Sequence, residues 1–215
     1  MNMERLAKKM AEAMGKSLGK SPEDVAVIAY GLIGILQFLT IFLLATAIGL
    51  ICHMWIEVVV VFLSVGFLRR LTGGAHSSGL YSCLVYSVCF VCSMLALARY
   101  VLPALPIVAN CVLGVAVFTF GYVMIALKAP VTPPNKPCRT EAKRKRLRRG
   151  AFTVLSIFLA LVIASFVFRG LGARLYTAGL SLLMSTLWQI TMMTKPGHAF
   201  ISFFDRMFTR RKCDA

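Results

Sequence analysis

One stretch, Arg69-Arg70-Leu71-Thr72-Gly73-Gly74-Ala75-His76-Ser77-Ser78-Gly79-Leu80-Tyr81-Ser82-Cys83, gathers the side chains best suited to chemistry. An imidazole and a thiol can form the pair a cysteine protease needs. The thiolate attacks a carbonyl, and the imidazole takes a proton and returns it to the leaving amine. Cys83 falls where an apolar run begins, behind two arginines, and a helix N-terminus and neighbouring cations both favour a thiolate. One His and one Cys make a weak motif by themselves. Their spacing adds a structural demand. Seven residues of straight helix rise about 10.5 Å, well beyond the roughly 3 Å contact that base catalysis wants. If the pair is catalytic, the chain cannot be one continuous helix from His76 to Cys83. Gly73-Gly74 and Ser77-Ser78-Gly79 supply the permissive backbone for a bend.

Other chemistry-bearing residues are fewer. Cys89 and Cys92 form a CxxC pair inside the same apolar run. Such a pair suits a membrane thiol oxidoreductase, although thiols three apart in an apolar helix more often pack as small hydrophobes. Cys52 and Cys111 read the same way. Glu57 is the one acid within the apolar runs, either a functional carboxylate or one that reaches the interface. His53 reads as interfacial, and His198 as part of a solvated basic tail. No His, Cys or acid falls at zinc spacing and no glycine pattern cradles a phosphate, so no metal and no cofactor is expected. A small transporter is the competing functional class, but the chain has no internal repeat and no set of intramembrane acids.

These residues must be held by elements suited to lipid. Of 215 residues, 59% are hydrophobic and 15% charged, where a soluble domain has about 45–50% and 25%. That excludes disorder and an ordinary water-soluble globule. Six apolar runs approach the roughly 20 residues of a spanning helix: 25–47, 54–68, 80–102, 106–127, 151–168 and 175–193. The fold expected is an all-α integral membrane protein of six transmembrane helices, with an amphipathic N-terminal helix and a non-helical catalytic segment, 69–83, between helices two and three.

The basic residues orient this arrangement. Lys and Arg number 24 against 8 acids, and 21 of the 24 lie in 1–24, 69–79, 128–150 and 195–215. Cytoplasmic loops carry such an excess, so both termini and the His76–Cys83 segment are expected at the cytoplasmic face of the cell membrane. The seven cysteines show no disulfide spacing, and free thiols suit that reducing side. Residues 1–20 lack the apolar stretch of a secretory signal. Basic charge without interleaved aromatics gives no case for a nucleic-acid partner.

Three regions follow. Residues 1–24 form a cytoplasmic segment in which Met3, Leu6, Met10, Met14 and Leu18 recur at helical spacing, as in a helix lying on the leaflet. Ser21 then caps a helix with Pro22 at its first position. Residues 25–194 form the membrane domain, including the basic loop 128–150, and 195–215 form a basic tail.

Gly-Gly-Ala-His, six residues and Cys, after a membrane segment ending in Arg-Arg, resembles the AgrB family (accessory gene regulator protein B). Pro134-Asn135-Lys136-Pro137 and the basic stretch after it resemble that family's central cytoplasmic loop. The resemblance covers nearly the whole chain. It implies a membrane cysteine endopeptidase of Gram-positive quorum sensing, which cuts an AgrD-type propeptide and cyclises the product into an autoinducing peptide precursor. By that resemblance His76 is the base and Cys83 the nucleophile. Arg69, Arg70, Gly73 and Gly74 are supporting residues, and Asn135, Lys136 and Pro137 are substrate contacts. It also implies a homodimer as a plausible assembly. No third member of the catalytic set is evident.

Overall fold

The structure, a computed structural model, describes residues 3–74, 80–131 and 140–213. It is helical almost throughout. The elements are α1 (Met3–Leu18), α2 (Pro22–Ile51), α3 (Trp55–Thr72), α4 (Leu80–Ala96), α5 (Ile107–Lys128), α6 (Glu141–Val167), α7 (Ala173–Thr191) and α8 (Lys195–Cys213). A π-helical turn, Leu97–Val101, and a 3-10 turn, Leu102–Ala104, extend α4.

Local signals place the helix ends. The Ser21 hydroxyl accepts the Asp24 N–H at 3.2 Å, Pro22 opens α2, and Glu23 and Asp24 sit in the first turn, where the helix dipole favours acids. At the other end of α2, the Met54 N–H reaches back to the Gly49 carbonyl and the His53 N–H to that of Leu50. With His53 at φ 55°, this is a Schellman cap. His53 therefore has a backbone role that its interfacial reading did not include. A similar reversal at Gly19 (φ 58°), with Lys20 N–H bonded to the Gly15 carbonyl, folds α1 back along α2.

Among the described residues, four segments are long and apolar enough to cross a membrane: Pro22–Ile51, Cys83–Ala104, Ile107–Lys128 and Glu141–Val167. The remaining two expected spans, α3 and α7, have 18 and 19 residues, about 27–29 Å at 1.5 Å per residue. Their composition sets them apart. α3 carries Glu57, Arg69 and Arg70, and α7 carries Thr177, Ser181, Ser185, Thr186 and Gln189. They pack on each other, α7 buried along most of its length and α3 only in part, with its Leu63 and Phe67 exposed. Glu57 pairs with Thr177, Ser64 with Ser185 at 2.6 Å, and Thr72 with Gln189. The rising residue numbers on both sides show that the two helices run parallel. Ser64 and Ser185 also bond carbonyls in their own helices, so these two hydroxyls are satisfied where lipid would leave them bare. Gly179 of α7 lets Ser165 of α6 approach closely, and Gly121 of α5 admits Ile190 and Leu155, as small residues do at membrane-helix interfaces.

Several expected boundaries move. α6 starts at Glu141, ten residues before the apolar run at 151, so Lys143–Arg149 of the basic loop 128–150 form the helical start that follows its prolines. Backbone bonds repeat without regard to polarity, and nothing before Ala151 breaks the helix. The tail is likewise helical as α8, and it packs on the bundle through Ile201 and Phe204. The segment 69–83, expected to be non-helical, is helical at both of its ends. Arg69–Thr72 are the last turn of α3, and Leu80–Cys83 are the first turn of α4.

Candidate active site

The C-terminus of α3 is held in a particular shape. Gly73 caps it at φ 71° and ψ −150°, with its N–H on the Arg69 carbonyl at 2.8 Å. That conformation favours glycine. A Cβ at Gly73 would also collide with the Val131 carbonyl, because the strand-like bridge between Gly73 and Val131 brings the two backbones together. The Val131 N–H donates to the Thr72 carbonyl at 2.8 Å. Gly74 follows at φ 138°, where a Cβ would stand 3.4 Å from the Met192 carbonyl.

Gln189 of α7 secures this exit from the far side. Its Nε2 donates to the Gly73 carbonyl at 2.8 Å and to Thr72 Oγ1 at 3.0 Å, while Thr72 Oγ1 donates to the Leu68 carbonyl. Gln189 and Thr72 are fully buried. The backbone entering the His76 segment is therefore clamped between α7 and the chain that leaves α5. Residues 75–79, His76 among them, lie outside the described residues, as do Asn135, Lys136, Pro137 and Cys138.

Cys83 re-enters in the first turn of α4, half-buried, and its thiol donates to Tyr86 Oη at 3.7 Å. It packs beside Tyr86, Met192 and Ile201, with Trp188 and Phe204 in the same cluster. Phe90 stacks on Trp188, ring centroids 3.4 Å apart. A cavity of 560 Å³ opens between α2, α3, α4 and α7, and Arg69, Arg70, Cys83 and Tyr86 all line it. The structure thus brings together two arginines and the thiol that are separated by the undescribed stretch. It groups Gly73 and Gly74 instead with Gln189, Met192 and Val131. A thiol beside guanidinium groups, at one end of a mostly apolar cavity, can attack a carbonyl held there, and the guanidinium groups can attract an anionic leaving segment.

Sequence reasoning missed Tyr86, Gln189 and Trp188. The spacing of three from Cys83 could have flagged Tyr86, and an amide inside an apolar run could have flagged Gln189. Nothing local marked Trp188. The CxxC pair is outside this grouping. Cys89 and Cys92 are free thiols, Cys89 is exposed on the surface of α4, and neither lines the cavity.

Glu57 does not reach an interface. It is 2% exposed, accepts from Thr177 Oγ1 at 2.7 Å and pairs with Arg99 Nη1 at 3.7 Å. It lies in the first turn of α3, at the end of the bundle opposite Cys83. Asn110 is buried at that same end, donating to the Leu102 carbonyl and to Tyr176 Oη, each at 2.8 Å.

The family model described as accessory gene regulator B matches residues 7–193. Among curated relatives, an AgrB-like protein of Clostridium perfringens strain SM101 is 27% identical over 206 residues, covering 94% of this chain and 96% of its own. AgrB-like protein 2 of Clostridium perfringens strain 13 is 25% identical over 212 residues with the same coverage. An AgrB-like protein of Listeria monocytogenes strain F2365 is 31% identical over 164 residues, covering 74% of this chain and 76% of its own. No solved structure matches the chain.

Proposed function

The chain belongs to the AgrB family, and we propose that it is a membrane cysteine endopeptidase which cleaves an AgrD-type propeptide and cyclises the product. The observation that carries this reading is the shared cavity of Cys83, Arg69 and Arg70. The Cys83 sulfur attacks the scissile carbonyl carbon, and the C–N bond breaks as His76 protonates the leaving amine. An enzyme thioester results. A nucleophile elsewhere on the same peptide then attacks the thioester, closes the ring and returns the thiolate to Cys83. No ATP is needed, because a thioester keeps most of the acyl-transfer potential. The apolar walls around Cys83 lower competition from water, and tethering raises the effective concentration of the internal nucleophile.

In this reading the bundle crosses the membrane six times, with α3 and α7 as the polar inner pair and both termini and the site at the cytoplasmic face. The placement of 21 of the 24 basic residues supports that orientation. Asn135-Lys136-Pro137 and α1 contact the propeptide.

Co-expression with the propeptide, followed by mass spectrometry of the products, tests the proposal. A ring and a released C-terminal fragment are expected from the parent, and neither from Cys83→Ala or His76→Ala inserted at equal level. Cleavage by Cys83→Ala would refute it. If the internal nucleophile of the propeptide is replaced, an adduct at Cys83 labile to hydroxylamine should accumulate.

A further inference from the structure

The cavity beside Cys83 has a direction. On α4 its wall is the helical stripe Cys83, Tyr86, Ser87, Phe90 and Val91, and on α3 the stripe runs from Arg70 and Arg69 through Val65 and Phe62 to Val61. Each wall spans at least eight residues, so the cavity extends about 12 Å from the thiol. Its cationic end is at Arg69 and Arg70. Its other end is apolar, closed by Ile41, Val61 and Val91, with Phe38 edge-on to Phe62 and Phe90 stacked on Trp188. A length of about 12 Å accepts about three residues of extended peptide at roughly 3.3 Å each. The 560 Å³ volume falls among ligand sites of about 300–1,000 Å³.

Polar groups interrupt the apolar walls. Gln37 of α2 and Ser87 and Tyr86 of α4 face the same space. A peptide backbone inside a bilayer must find hydrogen-bond partners, and the hydroxyls of Ser87 and Tyr86 can supply them. A lipid chain has no use for such groups.

We infer that this cavity binds the acyl half of the peptide substrate. The residues before the cleaved bond, bulky and apolar, lie along α3 and α4 with the scissile carbonyl at Cys83, and the segment to be released points toward Arg69 and Arg70. Phe62, Phe90 and Trp188 are then the specificity-determining residues. This inference rests on the reading of Cys83 as the nucleophile. It adds the direction of the chain and the side-chain class that the site selects.

The test uses the full-length protein in lipid nanodiscs and two acetylated tripeptide aldehydes, one of leucine and phenylalanine, the other of serine and glycine. A thiol adds reversibly to either aldehyde, with a carbon–sulfur bond formed and the thiol proton transferred to the carbonyl oxygen. Protection of Cys83 from a maleimide, read by mass spectrometry, gives the affinity of each probe. The apolar aldehyde should protect at about tenfold lower concentration or less, the effect of burying one or two large side chains. Ser87→Leu and Val65→Phe fill the cavity from opposite walls, and each should erase the preference while Cys83 is still labelled in the absence of probe. Equal protection by the two aldehydes, the outcome expected if a lipid chain occupies the cavity, overturns the inference. An unchanged preference in both filled variants does so as well. Either result leaves the Cys83→Ala cleavage experiment standing, whereas cleavage by Cys83→Ala removes both readings.

Discussion

The two ends of the α3–α7 core handle charge in opposite ways. At one end Glu57 is enclosed by Arg99 and Thr177, and Asn110 is held by Tyr176 and the Leu102 carbonyl. Cations and acceptors there point at each other. At the other end Arg69 and Arg70 line open volume beside a thiol, and the backbone leaves α3 through two glycines at positive φ. A charge matched within the bundle supports the bundle. A cation lining a cavity, next to a thiol and a conformation that only glycine adopts readily, stands where an arriving group can meet it. Polar residues in a membrane protein are expensive at both ends, so their presence alone does not mark a site. What they face does.

Substitutions can break or sharpen this contrast. The largest effect belongs to Cys83. If Cys83 is the nucleophile, Cys83→Ala should lower propeptide cleavage by about a thousandfold or more, as loss of a nucleophile does in proteases, with the folded protein otherwise intact by size exclusion. The backbone exit comes next. Gly73→Ala meets both the left-handed φ and the Val131 carbonyl, strain of roughly 1–3 kcal/mol or more, and should reduce cleavage by about tenfold to a hundredfold. Because the strain is local, the loss should exceed any change in thermal stability measured in detergent.

Gln189→Leu tests the clamp without touching the thiol. It removes the donors to Thr72 Oγ1 and the Gly73 carbonyl, each hydrogen bond worth about 0.5–1.5 kcal/mol. A fall of about tenfold in kcat with little change in KM is expected, since the segment is mispositioned rather than its substrate lost. At the opposite end the prediction reverses. Glu57→Ala leaves Arg99, which is 32% exposed, without its carboxylate. This should cost about 1–3 kcal/mol of stability, below the value for a fully buried pair because water reaches the guanidinium. Cleavage per folded molecule should stay within about twofold of the parent. A hundredfold loss there would erase the distinction between the ends. The smallest effect is expected from Cys89→Ser with Cys92→Ser, which should cleave at the parent rate; loss of activity would revive a redox role for the CxxC pair.

Much of the fold was legible before any coordinates. Apolar runs anticipated the helices because hydropathy is a property of neighbouring residues, and Ser21-Pro22 anticipated the start of α2 because capping acts within one turn. Gly73-Gly74 signalled the break after α3 for the same reason. The limits of that reasoning appear at α3 and α7. Three charges in α3 and the hydroxyls and amide of α7 set these two apart from the other apolar runs, and only packing shows what those groups meet.

Residue types and short spacings therefore determined the helical membrane architecture, the cap at Ser21, the bend at Gly73-Gly74, and Cys83 and Arg69 as candidates. Tertiary structure decided what those candidates face. Glu57 meets Thr177 across 120 positions, Ser64 meets Ser185 across 121, and Gln189 reaches Gly73 across 116. Trp188 and Phe204 come to Cys83 from helices more than a hundred residues downstream. A local pattern reports what one turn of chain prefers. Which polar groups find each other, and which line a cavity, is settled when the helices pack and buried donors must meet acceptors from distant parts of the chain.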